Sequence, residues 1–84
     1  MQYYFKPGAL KGLKKLPRTV QRRIIAKLDF YIASSDPLRF AESLKDKSLG
    51  GYRFRIGDYR IIFDVDSNGV IILLVGHRRD IYKK

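Results

Sequence analysis

At 84 residues and 45% hydrophobic content the chain has room for one modest core, a few helices on a small sheet, so residues 1–84 read as a single domain. Its 18 Lys plus Arg against 8 Asp plus Glu give a formal charge of +10, which makes an anion the first expected partner, nucleic acid before acidic protein. The lack of cysteine excludes disulfides, thiolate metal sites and cysteine nucleophiles; with no apolar run beyond Val70 to Val75 and no signal-like start, the expectation is a soluble, cytoplasmic protein without a membrane partner.

Tyr3, Tyr4 and Phe5 suit a short first strand ending before Pro7-Gly8. Leu10, Leu13 and Leu16 then recur at helical spacing up to Pro17. Val20, Ile24, Leu28 and Tyr31 or Ile32 form a longer stripe flanked by Gln21, Arg22, Arg23 and Lys27, which predicts an amphipathic helix from about residue 18 to about 34. Asp36-Pro37 has the chemistry of a helix start, so a short third helix or turn is expected near residues 38 to 45.

From Gly51 the period falls to two, with Tyr52, Phe54 and Ile56 alternating with Arg53, Arg55 and Gly57. Gly57-Asp58 suits a two-residue type II′ turn, which pairs Ile56 with Tyr59, Arg55 with Arg60 and Arg53 with Ile62. Asn68-Gly69 predicts a type I′ hairpin, and any even loop length there leaves His77 on the face of Arg60. One face then collects Tyr52, Phe54, Ile56, Tyr59, Ile61, Phe63, Val65, Ile72 and Leu74 and must be covered by the helices. Arg53, Arg55, Arg60 and His77 share the other face with Ile62, Leu73 and Val75.

Arg55 directly across from Arg60 is destabilising unless an anion or carboxylate lies between them. Arginine forks fit phosphate oxygens and stay charged at any working pH, but they move protons poorly. The groups able to do so are few: His77 is the only histidine, Glu42 the only glutamate, and Tyr82 follows His77 in HRRDIY. On spacing alone the arginines equally suit a solvated basic face, His77 an ordinary strand-end residue and Tyr82 a ring packed on the sheet edge. One histidine and scattered aspartates offer no metal-ligand spacing, and no Gly-rich phosphate loop precedes a helix, so no metal or cofactor is expected.

The short first strand, the LKKLP hairpin with QRRI in its second helix, YRFRIGDYRIIF, the NG turn and VGHRRDIY together resemble the RelE/ParE superfamily of type II toxins, the RelE-like branch most closely. The resemblance implies an α+β fold, two N-terminal helices packed on a small curved antiparallel sheet in the order β-α-α-β-β-β. It implies a ribosome-dependent mRNA endoribonuclease that works without metal through 2′-OH attack. Arg60, Arg78 and Tyr82 would be catalytic with His77 less firmly placed, and Arg53, Arg55, Arg79 and Lys83 would bind RNA phosphate. The implied partners are an acidic RelB-like antitoxin, in a complex that includes heterotetramers, and the ribosome with its mRNA. ParE-like relatives poison DNA gyrase instead, and a non-catalytic binding module is a third class. The chain departs from the pattern in its arginines where lysines are usual, in a shorter spacing from Arg78 to Tyr82, and in ending without room for a C-terminal helix.

Overall fold

A computed structural model describes residues 1–82. Its elements run β1 (Gln2–Phe5), α1 (Pro7–Lys14), α2 (Arg18–Ala33), a short 3₁₀ helix (Pro37–Phe40), β2 (Ala41–Ser43), β3 (Tyr52–Ile56), β4 (Tyr59–Asp66) and β5 (Gly69–His77). The strands form one sheet in the order β1-β5-β4-β3-β2. All neighbours are antiparallel except β1, which runs parallel to β5 and makes the sheet mixed.

Alternation on β3 and β4 and the stripe on α2 meet as expected. Ile24, Leu28 and Tyr31 of α2 are buried together with Phe54, Ile56, Ile61, Phe63, Val70 and Ile72 of the sheet. Rings give this layer its order: Tyr31 stacks on Phe40 and lies against Phe54, each with centroids 4.7 Å apart, and Phe54 stacks on Phe63 at 4.4 Å. α1 lies flush on β5, since a β-carbon on Gly12 would run into the backbone oxygen of Val75. Its buried residues are Ala9 and Leu13, whereas Leu10 is 38% exposed, so the leucine spacing marks the helix and misplaces its inner face.

Several expectations need correction. The segment after Asp36-Pro37 is one 3₁₀ turn followed by a strand, β2, which pairs Ala41 with Phe54, Glu42 with Arg53 and Ser43 with Tyr52. Three residues are too few to show an alternating pattern, and the strand exists because the edge of β3 offers unpaired backbone groups. The Asp36 side chain makes no capping hydrogen bond.

The β4–β5 loop is also not the type I′ turn that Asn68-Gly69 suggests. Asp66 pairs with Gly69, Asn68 does not take a positive φ, and the Asp66 carboxylate accepts from the backbone N–H of both Asn68 (2.8 Å) and Gly69 (3.0 Å). That side-chain turn competes successfully with the backbone turn. Beyond it β5 carries a bulge: Phe63 pairs with Ile72 and Ile62 with Leu74, leaving Leu73 as the extra residue. Arg60 therefore faces Gly76, and His77 pairs with Tyr59 on the other side of the sheet from Arg60. Val75 is correspondingly buried in the core, and Leu74 pairs with Ile62 instead.

Candidate active site

The first hairpin has the register its turn chemistry predicts, Arg53 opposite Ile62 and Arg55 opposite Arg60. Gly57 takes φ +60 and Asp58 no positive φ, as a type II′ turn requires. Three arginines thereby stand on the face that α1 and α2 do not cover. The far end of this face is roofed by the segment between β2 and β3: Gly51 N–H donates to Asp64 Oδ1 at 2.6 Å, and Gly50 lies so close that a β-carbon there would sit 2.8 Å from Ile62 Cγ2. Ile62, expected on an open surface, is consequently fully buried. What stays accessible is the end near the Gly57-Asp58 turn, where the charges are.

Arg60 is the only charged residue among the described ones that is buried, at 5% exposure. One terminal nitrogen donates to the carbonyl oxygens of Gly57 and Tyr59, both at 3.0 Å, and no ion pair joins it to a carboxylate among the described residues. Burial, then the nearby Arg55, Arg53 and Arg78, push its pKa below the usual guanidinium value, with Tyr82 acting the other way. A buried cation surrounded by cations is what an anion would relieve.

Arg53 and Arg55 share one counter-charge. Glu42 Oε1 lies 3.2 Å from Arg53 Nε and 3.5 Å from Arg55 Nε. The hydrogen bond from Arg53 lowers the Glu42 pKa from its ordinary carboxylate value. Glu42 was foreseeable only as a proton-transfer candidate; its place between two arginines follows from β2, which no local pattern announces.

The segment leaving β5 turns back on itself, with the N–H groups of Asp80 and Ile81 donating to the His77 carbonyl at 2.9 and 3.0 Å. Ile81 packs over Gly76, where an added β-carbon would meet its Cδ1 at 3.3 Å. The absence of a side chain at 76 thus lets the tail lie across the sheet beside Arg60. Tyr82 crosses far enough to accept a 2.7 Å hydrogen bond from Arg53 Nη1, despite the shortened spacing from Arg78. Arg78 stands at the rim, its backbone N–H on the Asp58 carbonyl at 2.7 Å and its Nε 3.7 Å from Asp58 Oδ1.

His77 does not join this group. Its Nδ1 accepts from the Arg79 N–H at 3.1 Å, and its ring stands edge-on to Tyr59 with centroids 5.5 Å apart, so it builds the turn that carries the tail. Arg79 is exposed, its backbone N–H turned to His77, and Lys83 lies outside the described residues. The described residues contain no cluster of three or more His, Cys, Asp or Glu, and none of their helices is long and apolar enough to cross a membrane.

The family described as the ParE toxin of type II toxin-antitoxin system, parDE, matches residues 3–82. Toxin RelG of Mycobacterium tuberculosis (strain ATCC 25618 / H37Rv) is 33% identical over 82 residues, covering 95% of this chain and 93% of the relative. A chain of the toxin-antitoxin complex RelBE2 from Mycobacterium tuberculosis superposes with a TM-score of 0.72 at 31% identity, over 90% of this chain and 95% of that one. For the RelB-RelE antitoxin-toxin complex from Methanococcus jannaschii the TM-score is 0.68 at 29% identity, over 93% of each chain. A sequence match running from β1 to Tyr82 and a shared α+β architecture agree that this chain belongs to the ParE toxin family, within the RelE/ParE superfamily, and is a toxin of a type II toxin-antitoxin system.

Proposed function

We propose that the protein is an endoribonuclease that cuts mRNA in the ribosomal A site without a metal ion. The observation that carries this reading is the buried Arg60, without a carboxylate partner among the described residues, ringed by Arg53, Arg55, Arg78 and Tyr82 on an accessible sheet face. The 2′-OH next to the scissile bond attacks phosphorus, the 5′-oxygen leaves, and the products are a 2′,3′-cyclic phosphate and a 5′-hydroxyl. Charge builds on the non-bridging oxygens during that step, where Arg60 and Arg78 stabilise it, each lost donor being worth about 10²–10³ in rate. Arg55 seats the phosphate, and Tyr82 supplies a proton or stacks on an unpaired base.

The partner that restrains it is an acidic antitoxin, as in the antitoxin-toxin complexes of the RelB-RelE relatives. A +10 chain with a mixed apolar and basic open face calls for a covering that is both greasy and acidic. The parDE label on the matching family keeps one rival reading in view, poisoning of DNA gyrase.

One experiment separates these. Wild type, Arg60→Ala and Arg78→Ala are added to a translating extract, mRNA 5′ ends are mapped, and gyrase supercoiling is assayed with the same proteins. New mRNA ends with wild type alone are expected. Equal cleavage by all three, or a supercoiling defect with intact mRNA, would remove the proposal.

A further inference from the structure

Arg53 differs from its neighbours in how its nitrogens are used. Nε and Nη2 face the two oxygens of Glu42 at 3.2 and 3.5 Å, and Nη1 donates to the Tyr82 hydroxyl at 2.7 Å. Every nitrogen of the guanidinium thus points at a protein group, and the side chain is only 27% exposed. Arg55 makes one longer contact, 3.5 Å to Glu42, and is 56% exposed. An arginine seats a phosphate by offering a pair of parallel N–H groups to the same anion. In Arg55 both terminal nitrogens are left for such a pair, whereas in Arg53 all three nitrogens are already engaged and only two of the five N–H groups remain.

We propose that Glu42 and Arg53 form a strut whose task is to hold the Tyr82 hydroxyl beside the other guanidinium groups, leaving phosphate to Arg55, Arg60 and Arg78. The assignment rests on the nuclease reading above and makes Glu42 and Arg53 positioning residues. It explains why a carboxylate stands in a site meant for an anion. A lone Glu42 there repels substrate unless it serves something else, and its bidentate grip fixes the plane of the Arg53 fork. The strut also joins three separate parts of the chain, since Glu42 is on β2, Arg53 on β3 and Tyr82 on the tail beyond β5. By accepting from Arg53, the Tyr82 oxygen is fixed while its own O–H proton stays free to be donated.

Misplacing a reacting group by about 1 Å can cost up to about 100-fold in rate, whereas losing a phosphate seat weakens binding. Single-turnover cleavage of mRNA on ribosomes with a defined A-site codon therefore distinguishes the roles. Arg53→Ala is expected to slow cleavage at saturation by roughly 10- to 100-fold with the half-saturating ribosome concentration unchanged, and Glu42→Gln, which also loses its contact with Arg55, to slow it to the same extent. Either change combined with Tyr82→Phe should be no slower than Tyr82→Phe alone.

A fluorotyrosine placed at position 82 gives a readout that does not depend on activity. Its ¹⁹F resonance should move in Glu42→Gln and Arg53→Ala and stay in place in Arg55→Ala, with thermal melts confirming that each variant is folded. A higher half-saturating concentration for Arg53→Ala that adds to the Tyr82→Phe defect would overturn the strut. So would a resonance that ignores Glu42→Gln. If the resonance moves as expected while wild type cuts no mRNA, the nuclease reading falls and the strut stands.

Discussion

The two faces of one sheet are held in different ways. Under α1 and α2 the contacts are short-range and need no partner atom by name: Phe54, Ile61, Phe63, Val70 and Ile72 are fully buried, and the rings from Phe40 through Tyr31 and Phe54 to Phe63 touch in sequence. On the other face each group is placed by a directed bond, Arg60 by the carbonyls of Gly57 and Tyr59, Arg53 by Glu42, and Gly51 by Asp64. The same β3–β4 register builds both, because residues alternate in facing along each strand. Stability is concentrated on one face, and on the other like charges are left facing each other.

That contrast can be broken by substitutions of graded effect. Phe63→Ala should cost about 3–5 kcal/mol in urea denaturation, close to the whole stability of a small domain, because it empties the middle of the ring stack. A loss below about 1 kcal/mol would mean that the stack is not the core. Arg60→Met should act with the opposite sign, stabilising by about 1 kcal/mol through relief of the Arg55 opposition and of the burial cost, while mRNA cleavage disappears. A clear drop in the denaturation midpoint would show that the arginine face is structural after all.

The smallest effect concerns β1, which is tied on both sides by consecutive tyrosines. Tyr3 donates to Asp29 of α2 at 2.7 Å and Tyr4 to Asp66 at 2.6 Å. Burial, then the Asp29 hydrogen bond, push the Tyr3 phenol up to about 12. The neutral phenol is favoured in the folded state, so its contribution is whole below about pH 10, the unfolded value, and is lost as pH rises through about 12. Stability should fall over that window, and Tyr3→Phe should flatten the fall. An identical slope in the variant would exclude Tyr3 as its source.

Much of this was legible in the residues. The alternation from Tyr52 to Ile56, the Gly57-Asp58 turn and the α2 stripe carry their structure locally, so the arginine pairing could be read without coordinates. The rest depends on contacts distant in sequence. β2 forms only against β3, Glu42 acquires its role only through that pairing, and Gly50 roofs Ile62 because two segments happen to meet. At Asn68-Gly69 a strong local signal lost to Asp66, whose side chain supplied an alternative acceptor. The resemblance to the toxin superfamily named the residues Arg53, Arg55, Arg60, Arg78 and Tyr82 that the structure gathers, and it also named His77, which the structure places elsewhere.

The misplacement of His77 comes down to the odd residue in β5. Had Leu73 been paired like its neighbours, the parity of the strand would put an imidazole on the side of Arg60 and a glycine among the core residues. With the bulge, the site has a gap beside its buried cation, and a tail from the chain's end lies over that gap to present a phenol. The extra residue in one strand thus decides whether an imidazole or a phenol stands near the buried guanidinium.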